Sequence, residues 1–212
     1  MSKPFTPENL SSQMDADFTW RLKELSDLKA TIRRVDESVR GVLLRAFVAL
    51  IYAHWEGYIR FCAIKYFLHI SIKRKKYYEL HGQFYFNSFL TRLDAFFRSR
   101  AGVQEKCQFL DEVLNSRTKR FANFSTVLID TKSNLNTDVI RDICTICAVD
   151  SDEFEKERVF IDIFILKRRN EIAHGEEIHI PETELDYMVE KAINLMRLFR
   201  NLLVYDGSYL VH

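Results

Sequence analysis

The sequence has little proline and glycine, with 3 Pro and 6 Gly among 212 residues. Folds built from strands and tight turns need both residue types to reverse the chain, so their scarcity favours helices. The formal net charge is only +1 at pH 7. An anionic partner would therefore have to be bound by local clusters of Lys and Arg rather than by the field of the whole protein. The length is that of one domain with a sizeable core.

The cysteines also lack a pattern. There are four, and their spacing forms no disulfide framework: Cys62, Cys107, Cys144 and Cys147. No signal peptide is recognisable, so we expect reduced thiols and a cytoplasmic protein. The C-x-x-C pair at Cys144 lacks the second ligand pair of a zinc site and the βαβ context of a redox site. We interpret it as two small apolar residues on one helix face, and we expect neither a metal nor a cofactor.

A long uncharged apolar run is absent too. The most apolar stretch, residues 42–70, is interrupted by five ionisable residues: Arg45, His54, Glu56, Arg60 and Lys65. A membrane span needs about 18 or more apolar residues with few charges, so we predict no span. Large apolar groups on several faces of this stretch are typical of the central helix of a bundle.

Apolar residues recur at intervals of three and four along most of the chain, which indicates amphipathic helices. The predicted helices cover residues 11–38, 42–73, 84–98, 103–114, 139–147, 153–173 and 182–203. We expect a break or close helix crossing at Gly41, an N-cap at Thr137 and a strand or turn at residues 124–130. Six residues of the third helix are expected to face inward: Phe86, Phe89, Leu90, Leu93, Phe96 and Phe97.

The predicted architecture is an all-α bundle. Residues 1–10 are expected to form a flexible tail, because they contain two prolines and no periodicity. Residues 11–212 form one helical domain, with additional helices between the second and the penultimate long helix. Residues 74–136 either read a substrate or extend the bundle.

The segment LKRRNEIAHGEEIHIP carries the residues with the clearest chemistry. Arg169 and Asn170 precede His174 by about one helical turn, and Gly175 then ends the helix. A basic last turn before a glycine cap is the structural interpretation. The functional interpretation is RNA cleavage without metal. Histidine can serve as general acid or base, and arginine binds phosphate oxygens. Two copies across a two-fold axis would supply both an acid and a base, so the motif predicts a homodimer.

Two further segments carry candidate residues. The basic run Lys73, Arg74, Lys75 and Lys76, followed by Tyr77, can contact phosphates and stack on bases, or it can be a solvated helix end. In the segment HWEGYIR, residues 54–60, Glu56 either pairs with Arg60 four residues later or belongs to the site, and His54 is expected in the core.

An all-α bundle with R-N-x-x-x-H at the end of a late helix resembles the HEPN superfamily. HWEGYIR on the early helix and SNLN at residues 133–136 are similar to segments of MAE-type HEPN-like nucleases. The resemblance implies a homodimeric, metal-independent endoribonuclease. Its partners would be an RNA substrate and an antitoxin or other defence-system protein, as in toxin–antitoxin and anti-phage systems.

Carried over residue by residue, the resemblance makes Arg169 the phosphate-binding group and His174 the general acid/base. Asn170 matches the polar position after the arginine, and Glu56 matches an acidic position that orients Arg169 or His174. Arg168 satisfies the motif as well and is a candidate for substrate binding; we prefer Arg169 as the motif arginine because Asn follows it directly. Some HEPN domains do not cut, so the alternative is a non-catalytic module for dimerisation and nucleotide or RNA binding. A metal-dependent DNA nuclease is disfavoured, because the carboxylates are scattered.

Overall fold

The computed structural model describes residues 6–98, 101–206 and 209–210. Eight α-helices follow one another in these residues: α1 Pro7–Ile32, α2 Glu37–Lys73, α3 Gly82–Arg98, α4 Val103–Asn115, α5 Thr137–Cys147, α6 Asp152–Lys156, α7 Arg168–Ala173 and α8 Leu185–Asn201. Two π-helical stretches, Val159–Lys167 and Leu202–Asp206, and three single 3₁₀ turns complete the helical part. The predicted all-α class is confirmed, and α3 to α5 are the additional helices between the second and the penultimate long helix.

Helix α2 is the centre of the bundle. Among the described helices it has the length and the mean hydropathy, 1.2, of a membrane span, but 50% of that stretch is buried inside the protein. Trp55, Tyr58 and Tyr66 are almost fully buried along it, and α1 and α8 pack against it. Its apolar character on several faces therefore follows from its place between other helices.

Helix α1 begins four residues earlier than the periodicity predicts. The hydroxyl of Thr6 accepts a hydrogen bond from the Asn9 N–H at 3.1 Å, and Pro7 stands at the first helical position. Residues 7–10 of the predicted tail are thus helical, and Leu10 is buried. Residues 1–5 of that tail lie outside the described residues.

The break between the first two helices also differs from the prediction. The helix ends at Ile32, and α2 begins at Glu37 after Asp36, which has an extended backbone. Gly41 lies inside α2, and a Cβ built there would meet no atom within 4 Å. The expected break or close crossing at Gly41 is wrong, because the chain turns before the glycine.

The residues of HWEG fix α1 against α2 through a buried polar network. Arg21 Nε donates to Asp17 at 2.6 Å, and Arg21 Nη1 lies 3.4 Å from His54 Nδ1. On the other side of the ring, His54 Nε2 lies 2.8 Å from Glu24 Oε2. A Cβ at Gly57 would lie 2.9 Å from Arg21 Nη1, so any larger residue would force the guanidinium to shift from its buried contacts. His54 is buried, as expected.

The charge state of His54 follows from this packing. Burial lowers the pKa of the His54 imidazole, and the neighbouring Arg21 lowers that pKa further, while Glu24 acts in the opposite direction. The imidazole is therefore held toward its neutral form inside the α1–α2 contact.

Helices α3 and α4 form an antiparallel hairpin. The rings of Phe96 and Phe109 lie 4.8 Å apart, and the Tyr85 hydroxyl donates to the Val113 carbonyl. The inward prediction is confirmed for Phe89, which is buried. It is wrong for three others, whose exposed fractions are 50% for Phe86, 36% for Leu93 and 80% for Phe97. These three lie on a side of α3 that neither α4 nor the bundle covers.

The segment before α5 corrects one prediction and decides another. Asn136 is the N-cap of α5, since its side-chain oxygen accepts from Val139 N–H at 2.8 Å. Thr137 instead donates its N–H and its hydroxyl to Asp162, at 2.8 and 2.9 Å. Residues 124–130 contain a 3₁₀ turn, Thr126–Leu128, so the turn is confirmed of the two alternatives predicted for this segment.

The helix predicted at residues 153–173 forms in three parts. Helix α6 leads into the π-helical stretch Val159–Lys167, which continues directly into α7. Gly175 ends this series with φ of +80°, a left-handed conformation that suits glycine. The predicted glycine stop is confirmed.

The cysteines behave as the sequence predicts. Cys62, Cys144 and Cys147 are buried free thiols, and Cys107 is an exposed free thiol. Burial raises the pKa of the Cys144 thiol to about 12. The two cysteines of the C-x-x-C pair therefore act as small apolar core residues.

Candidate active site

Arg169 on α7 is held against α2 and the loop of residues 133–136. Its guanidinium carbon lies 3.9 Å from the centre of the Tyr52 ring, within the range of a cation–π interaction. Arg169 Nη2 donates to the Ser133 carbonyl at 2.6 Å. In the described part of the chain no carboxylate forms an ion pair with Arg169, so none of these residues neutralises its positive charge.

Tyr52 is the platform under this arginine. Its side chain is buried, and its hydroxyl accepts a hydrogen bond from the backbone N–H of Leu135 at 2.7 Å. Burial raises the pKa of the Tyr52 hydroxyl, and the Glu56 carboxylate raises it further, while the Leu135 N–H and Arg169 lower it. One tyrosine thus positions the loop through its hydroxyl and the arginine through its ring.

The adjacent Arg168 has a different environment. Its guanidinium forms an ion pair with Glu184 and lies 4.6 Å above the Phe164 ring. Arg168 therefore joins α7 to the start of α8. Of the two arginines that satisfy the motif, Arg169 is the one whose charge has no carboxylate partner among the described residues.

His174 stands at the C-terminal end of α7. The residue is exposed, and its backbone N–H donates to the Asn170 carbonyl at 2.9 Å. Residues four apart lie on the same helix face, so the side chains of Asn170 and His174 are neighbours. Asn170 Nδ2 lies 3.5 Å from Asn134 Oδ1, at the limit of a hydrogen bond. Within residues 6–98, 101–206 and 209–210, no hydrogen bond or ion pair engages the His174 imidazole.

Glu56 lies one helical turn after Tyr52, on the side of α2 that meets Arg169. It is half-buried, and the expected ion pair with Arg60 is not formed, since Arg60 is exposed and neither residue has an ionic partner among the described residues. The Glu56 carboxylate raises the pKa of the Tyr52 hydroxyl, one turn away on the same helix. The contacts with Tyr52 and residues 133–134 bring Arg169 and Asn170 to one region, while Glu56 follows Tyr52 by one turn of α2 and His174 follows Asn170 by one turn of α7.

A comparison with protein-family models matches residues 16–205 to RiboL-PSP-HEPN. The chain belongs to the RiboL-PSP-HEPN family. This match confirms the resemblance to the HEPN superfamily and assigns the domain to nuclease-related or RNA-related modules. The narrower resemblance to MAE-type nucleases stays a prediction. Neither the curated proteins nor the solved structures compared with the chain gave a match.

The basic run of this HEPN domain lies away from the R-N-x-x-x-H motif. Lys73 is 21 residues after Tyr52 on the same helix, a separation of about 31 Å along the axis. The run pairs instead with a second basic segment, residues 117–120: Tyr77 N–H donates to the Lys119 carbonyl at 3.0 Å, and Phe121 N–H donates to the Lys75 carbonyl at 2.8 Å.

This pairing forms one basic surface from two segments. Seven cationic residues belong to it: Lys73, Arg74, Lys75, Lys76, Arg117, Lys119 and Arg120. The Tyr77 ring packs against Tyr85 and Phe121, and burial raises the pKa of its hydroxyl. Tyr78, 52% exposed and 5.4 Å from Lys76 Nζ, is therefore the tyrosine that can meet a base.

Sequence reasoning missed two parts of the site in this HEPN chain. Tyr52 is one of many large apolar residues in α2, and only its spacing of four from Glu56 marks it. The Ser133 carbonyl is a backbone group, which no side-chain pattern reveals. Residues 133–136 were singled out only as part of the resemblance, without a contact to Arg169.

Proposed function

We propose that this protein is a metal-independent endoribonuclease of HEPN type that acts as a homodimer with a composite active site. Arg169 binds and polarises the scissile phosphate, His174 is the general acid/base, and Asn170 and Glu56 orient these groups. We also propose a cytoplasmic role in prokaryotic defence or in a toxin–antitoxin pair, with an antitoxin or defence protein as partner. The observation that carries the proposal is the pair of an unneutralised Arg169 and an exposed, unengaged His174 at the end of one short helix.

The geometry supports these roles in a specific way. Arg169 is immobilised by the Tyr52 ring and the Ser133 carbonyl, and its Nη1 is not used by either contact. A cation that is already in position can stabilise the negative charge that develops on a phosphate with little free-energy cost for rearranging the protein. His174 is at the surface, where its ring can reach an RNA strand. The ordinary pKa of a histidine lies near neutral pH, which suits proton transfer in either direction.

The proposed reaction needs two proton transfers, one from the substrate to a base and one from an acid to the leaving group. One His174 removes the proton from a ribose 2′-hydroxyl, whose oxygen then attacks the adjacent phosphorus. The P–O5′ bond breaks, and the second protomer's histidine donates a proton to the leaving oxygen. Arg169 stabilises the charge on the phosphorus-bound oxygens throughout. Since one chain supplies one such histidine, two chains are needed for the complete reaction.

The basic surface of residues 73–76 and 117–120 is proposed to hold the RNA at a distance from the cleavage site. Its cations and the exposed Tyr78 fit a phosphate backbone with an unstacked base. Lys76→Ala combined with Arg120→Ala should weaken RNA binding and make it less dependent on salt. Cleavage of RNA bound at saturating concentration should change little.

The first test is RNA cleavage in the presence of EDTA. Wild type is compared with Arg169→Ala and His174→Ala, with Arg168→Ala as the neighbouring-arginine control and His179→Ala as the exposed-histidine control. We expect both motif variants to lose activity by about 10²-fold or more, as for removal of a general acid/base. Both controls should retain it. Equal loss in Arg168→Ala and Arg169→Ala, or activity that persists in His174→Ala, would contradict the assignment.

A dilution experiment tests the composite site. Wild type is mixed with an increasing excess of His174→Ala and allowed to exchange subunits. If both histidines are needed in one dimer, activity per wild-type chain falls in proportion to the wild-type fraction. If each chain cuts alone, that value stays constant, and the composite mechanism is wrong.

One observation favours the second candidate, a non-catalytic module that dimerises and binds nucleotide or RNA. Arg169 already binds a carbonyl within the protein, and its Nε is buried without a hydrogen-bond partner in the described residues. The guanidinium could thus serve mainly to join α7 to the loop. RNA binding that depends on Lys76 and Arg120, without cleavage of any of a varied set of RNAs, would support this candidate.

A further inference from the structure

The exposed apolar residues of the α3–α4 hairpin form two regular stripes. On α3 the stripe consists of Phe86, Leu90, Leu93 and Phe97; on α4 it consists of Val103, Cys107, Leu110 and Leu114. Both have the same spacing of four, three and four residues. This spacing keeps side chains in line along a helix that packs against another helix. All but the half-buried Leu90 are exposed to solvent.

The two stripes lie on the same side of the hairpin. Phe96 of α3 and Phe109 of α4 are in contact with each other. The stripe residues Phe97 and Leu110 come one residue after these contact positions. One residue turns an α-helix by about 100°. The helices are antiparallel, so the same turn away from their contact line brings both stripes to one face.

The opposite side of the hairpin is the one that meets the bundle. Phe84 is fully buried there, and Asn87 Nδ2 donates to the Ile146 carbonyl at 2.8 Å. The face that carries the stripes is therefore directed away from the other residues that the structure describes. No charged residue occupies any of its eight positions.

The exposed apolar area of this face is close to the area that one partner buries in a protein interface. Six stripe residues have large exposed fractions: Phe86 50%, Leu93 36%, Phe97 80%, Val103 78%, Leu110 58% and Leu114 76%. A Phe residue offers about 150–250 Å² and the Leu and Val residues somewhat less, so the exposed surface of the six is on the order of 700 Å². A standard protein interface buries about 800 Å² on each partner, and the largest apolar patch of a monomer is ordinarily about 300–600 Å².

We infer that this face of the α3–α4 hairpin binds the same face of a second copy of the chain, so that two hairpins form a four-helix bundle. Self-association fits because both helices carry the spacing of helix–helix packing, and two hairpins turn all four stripes inward. The area also matches one half of a standard interface. The surface is distinct from the proposed cleavage site, since the hairpin follows the far end of α2, and the inference does not rest on nuclease activity.

The mass in solution tests this inference. Sedimentation velocity is recorded over a range of concentrations for wild type, Phe97→Glu and Leu110→Glu. Val127→Glu is the matched control, since Val127 is 70% exposed and lies outside both stripes. We expect the mass of both hairpin variants to be half that of wild type and the control to be unchanged. A dimer through the cleavage site would persist in the variants, so tetramer-to-dimer and dimer-to-monomer changes both support the inference.

Cys107 gives an independent readout. It is the exposed one of the four cysteines, and it lies in the middle of the α4 stripe. The rate constant for its alkylation by a maleimide should fall as the wild-type concentration rises, and it should stay high in Leu110→Glu. Equal masses for wild type and variants, or an alkylation rate constant independent of concentration in wild type, would overturn the inference. Circular dichroism establishes that each variant is folded.

Discussion

Removal of the Tyr52 hydroxyl should destabilise the protein, whereas removal of the Tyr66 hydroxyl from the same helix should not. Both side chains are buried in α2, with exposed fractions of 3% and 1%. The Tyr52 hydroxyl accepts from the Leu135 N–H at 2.7 Å. The Tyr66 hydroxyl has no hydrogen-bond partner among the described residues. The two substitutions to Phe thus remove the same atom, in Tyr52 one that accepts a hydrogen bond and in Tyr66 one without a partner among the described residues.

The magnitude follows from the group that each substitution leaves behind. Tyr52→Phe leaves the N–H of Leu135, a fully buried residue, without a partner, which costs about 1–3 kcal/mol. Tyr66→Phe removes a buried polar atom that has no partner, so the free energy of unfolding should stay the same or rise by up to about 2 kcal/mol. In the Tyr52→Phe variant an aromatic ring would still lie under Arg169, so the cation–π contact is retained.

Urea unfolding followed by circular dichroism measures both changes at one protein concentration. With a denaturant slope of about 2 kcal/mol per M, the midpoint of Tyr52→Phe should fall by roughly 0.5–1.5 M. The midpoint of Tyr66→Phe should not fall. A Tyr52→Phe midpoint equal to that of wild type, or a decrease of similar size in both variants, would refute the role given to the Tyr52–Leu135 hydrogen bond.

Three further predictions concern residues around the site. Because the pKa of His54 is lowered in the folded protein, the unfolded chain binds a proton below the ordinary histidine pKa of about 6.5 that the folded chain does not bind. The free energy of unfolding should therefore fall as the pH drops below about 6.5. His54→Gln should lose less of it than wild type between pH 7.5 and 5.5, and equal losses would contradict this. Gly57→Ala and Gly41→Ala gain the same helix propensity, but only at Gly57 does the new Cβ meet Arg21. Thermal and urea unfolding should therefore show Gly57→Ala to be less stable than Gly41→Ala by about 1–3 kcal/mol. Equal stability of the two variants would mean that Arg21 moves freely. Glu184→Gln breaks the partly exposed ion pair with Arg168 and should cost less than about 1 kcal/mol while leaving any RNA cleavage unchanged. A loss of cleavage would show that this ion pair positions α7 for the reaction.

The positions of the helices could be predicted well from the sequence, because burial in a bundle imposes a 3.6-residue period on each of them. The exceptions lie where local hydrogen bonds decide. Asn136 rather than Thr137 caps α5, since Thr137 is drawn to Asp162 by two hydrogen bonds. The turn before α2 ends at Asp36, whose backbone is extended, and Gly41 is simply accommodated in the helix.

The α3 helix shows a different limit. Its apolar pattern correctly indicates residues made for burial, but it does not say against what. Phe89 packs against α4, whereas Phe86, Leu93 and Phe97 face solvent in a single chain. Periodicity reports the preference of a face for an apolar environment, and another chain can provide that environment as well as the same chain can.

The candidate site was predictable in its polar residues and not in its supports. Arg169, Asn170 and His174 stand out because a cation, an amide and a titratable imidazole follow one another within about one helical turn. Tyr52 and the Ser133 carbonyl give Arg169 its position, and contacts between residues so far apart in sequence are visible only in the folded chain.

The π-helical stretch Val159–Lys167 determines which residue of α7 faces Tyr52. A π turn holds more residues than an α turn, because its hydrogen bonds join residues five apart instead of four. The same sequence wound as an α-helix would rotate α7 about its axis and take Arg169 off the tyrosine ring. The length of this stretch is therefore under a stricter constraint than its composition: an apolar residue can replace another, but the gain or loss of a single residue would rotate the motif away from Tyr52. The choice between two adjacent arginines is made by the winding of the chain that precedes them.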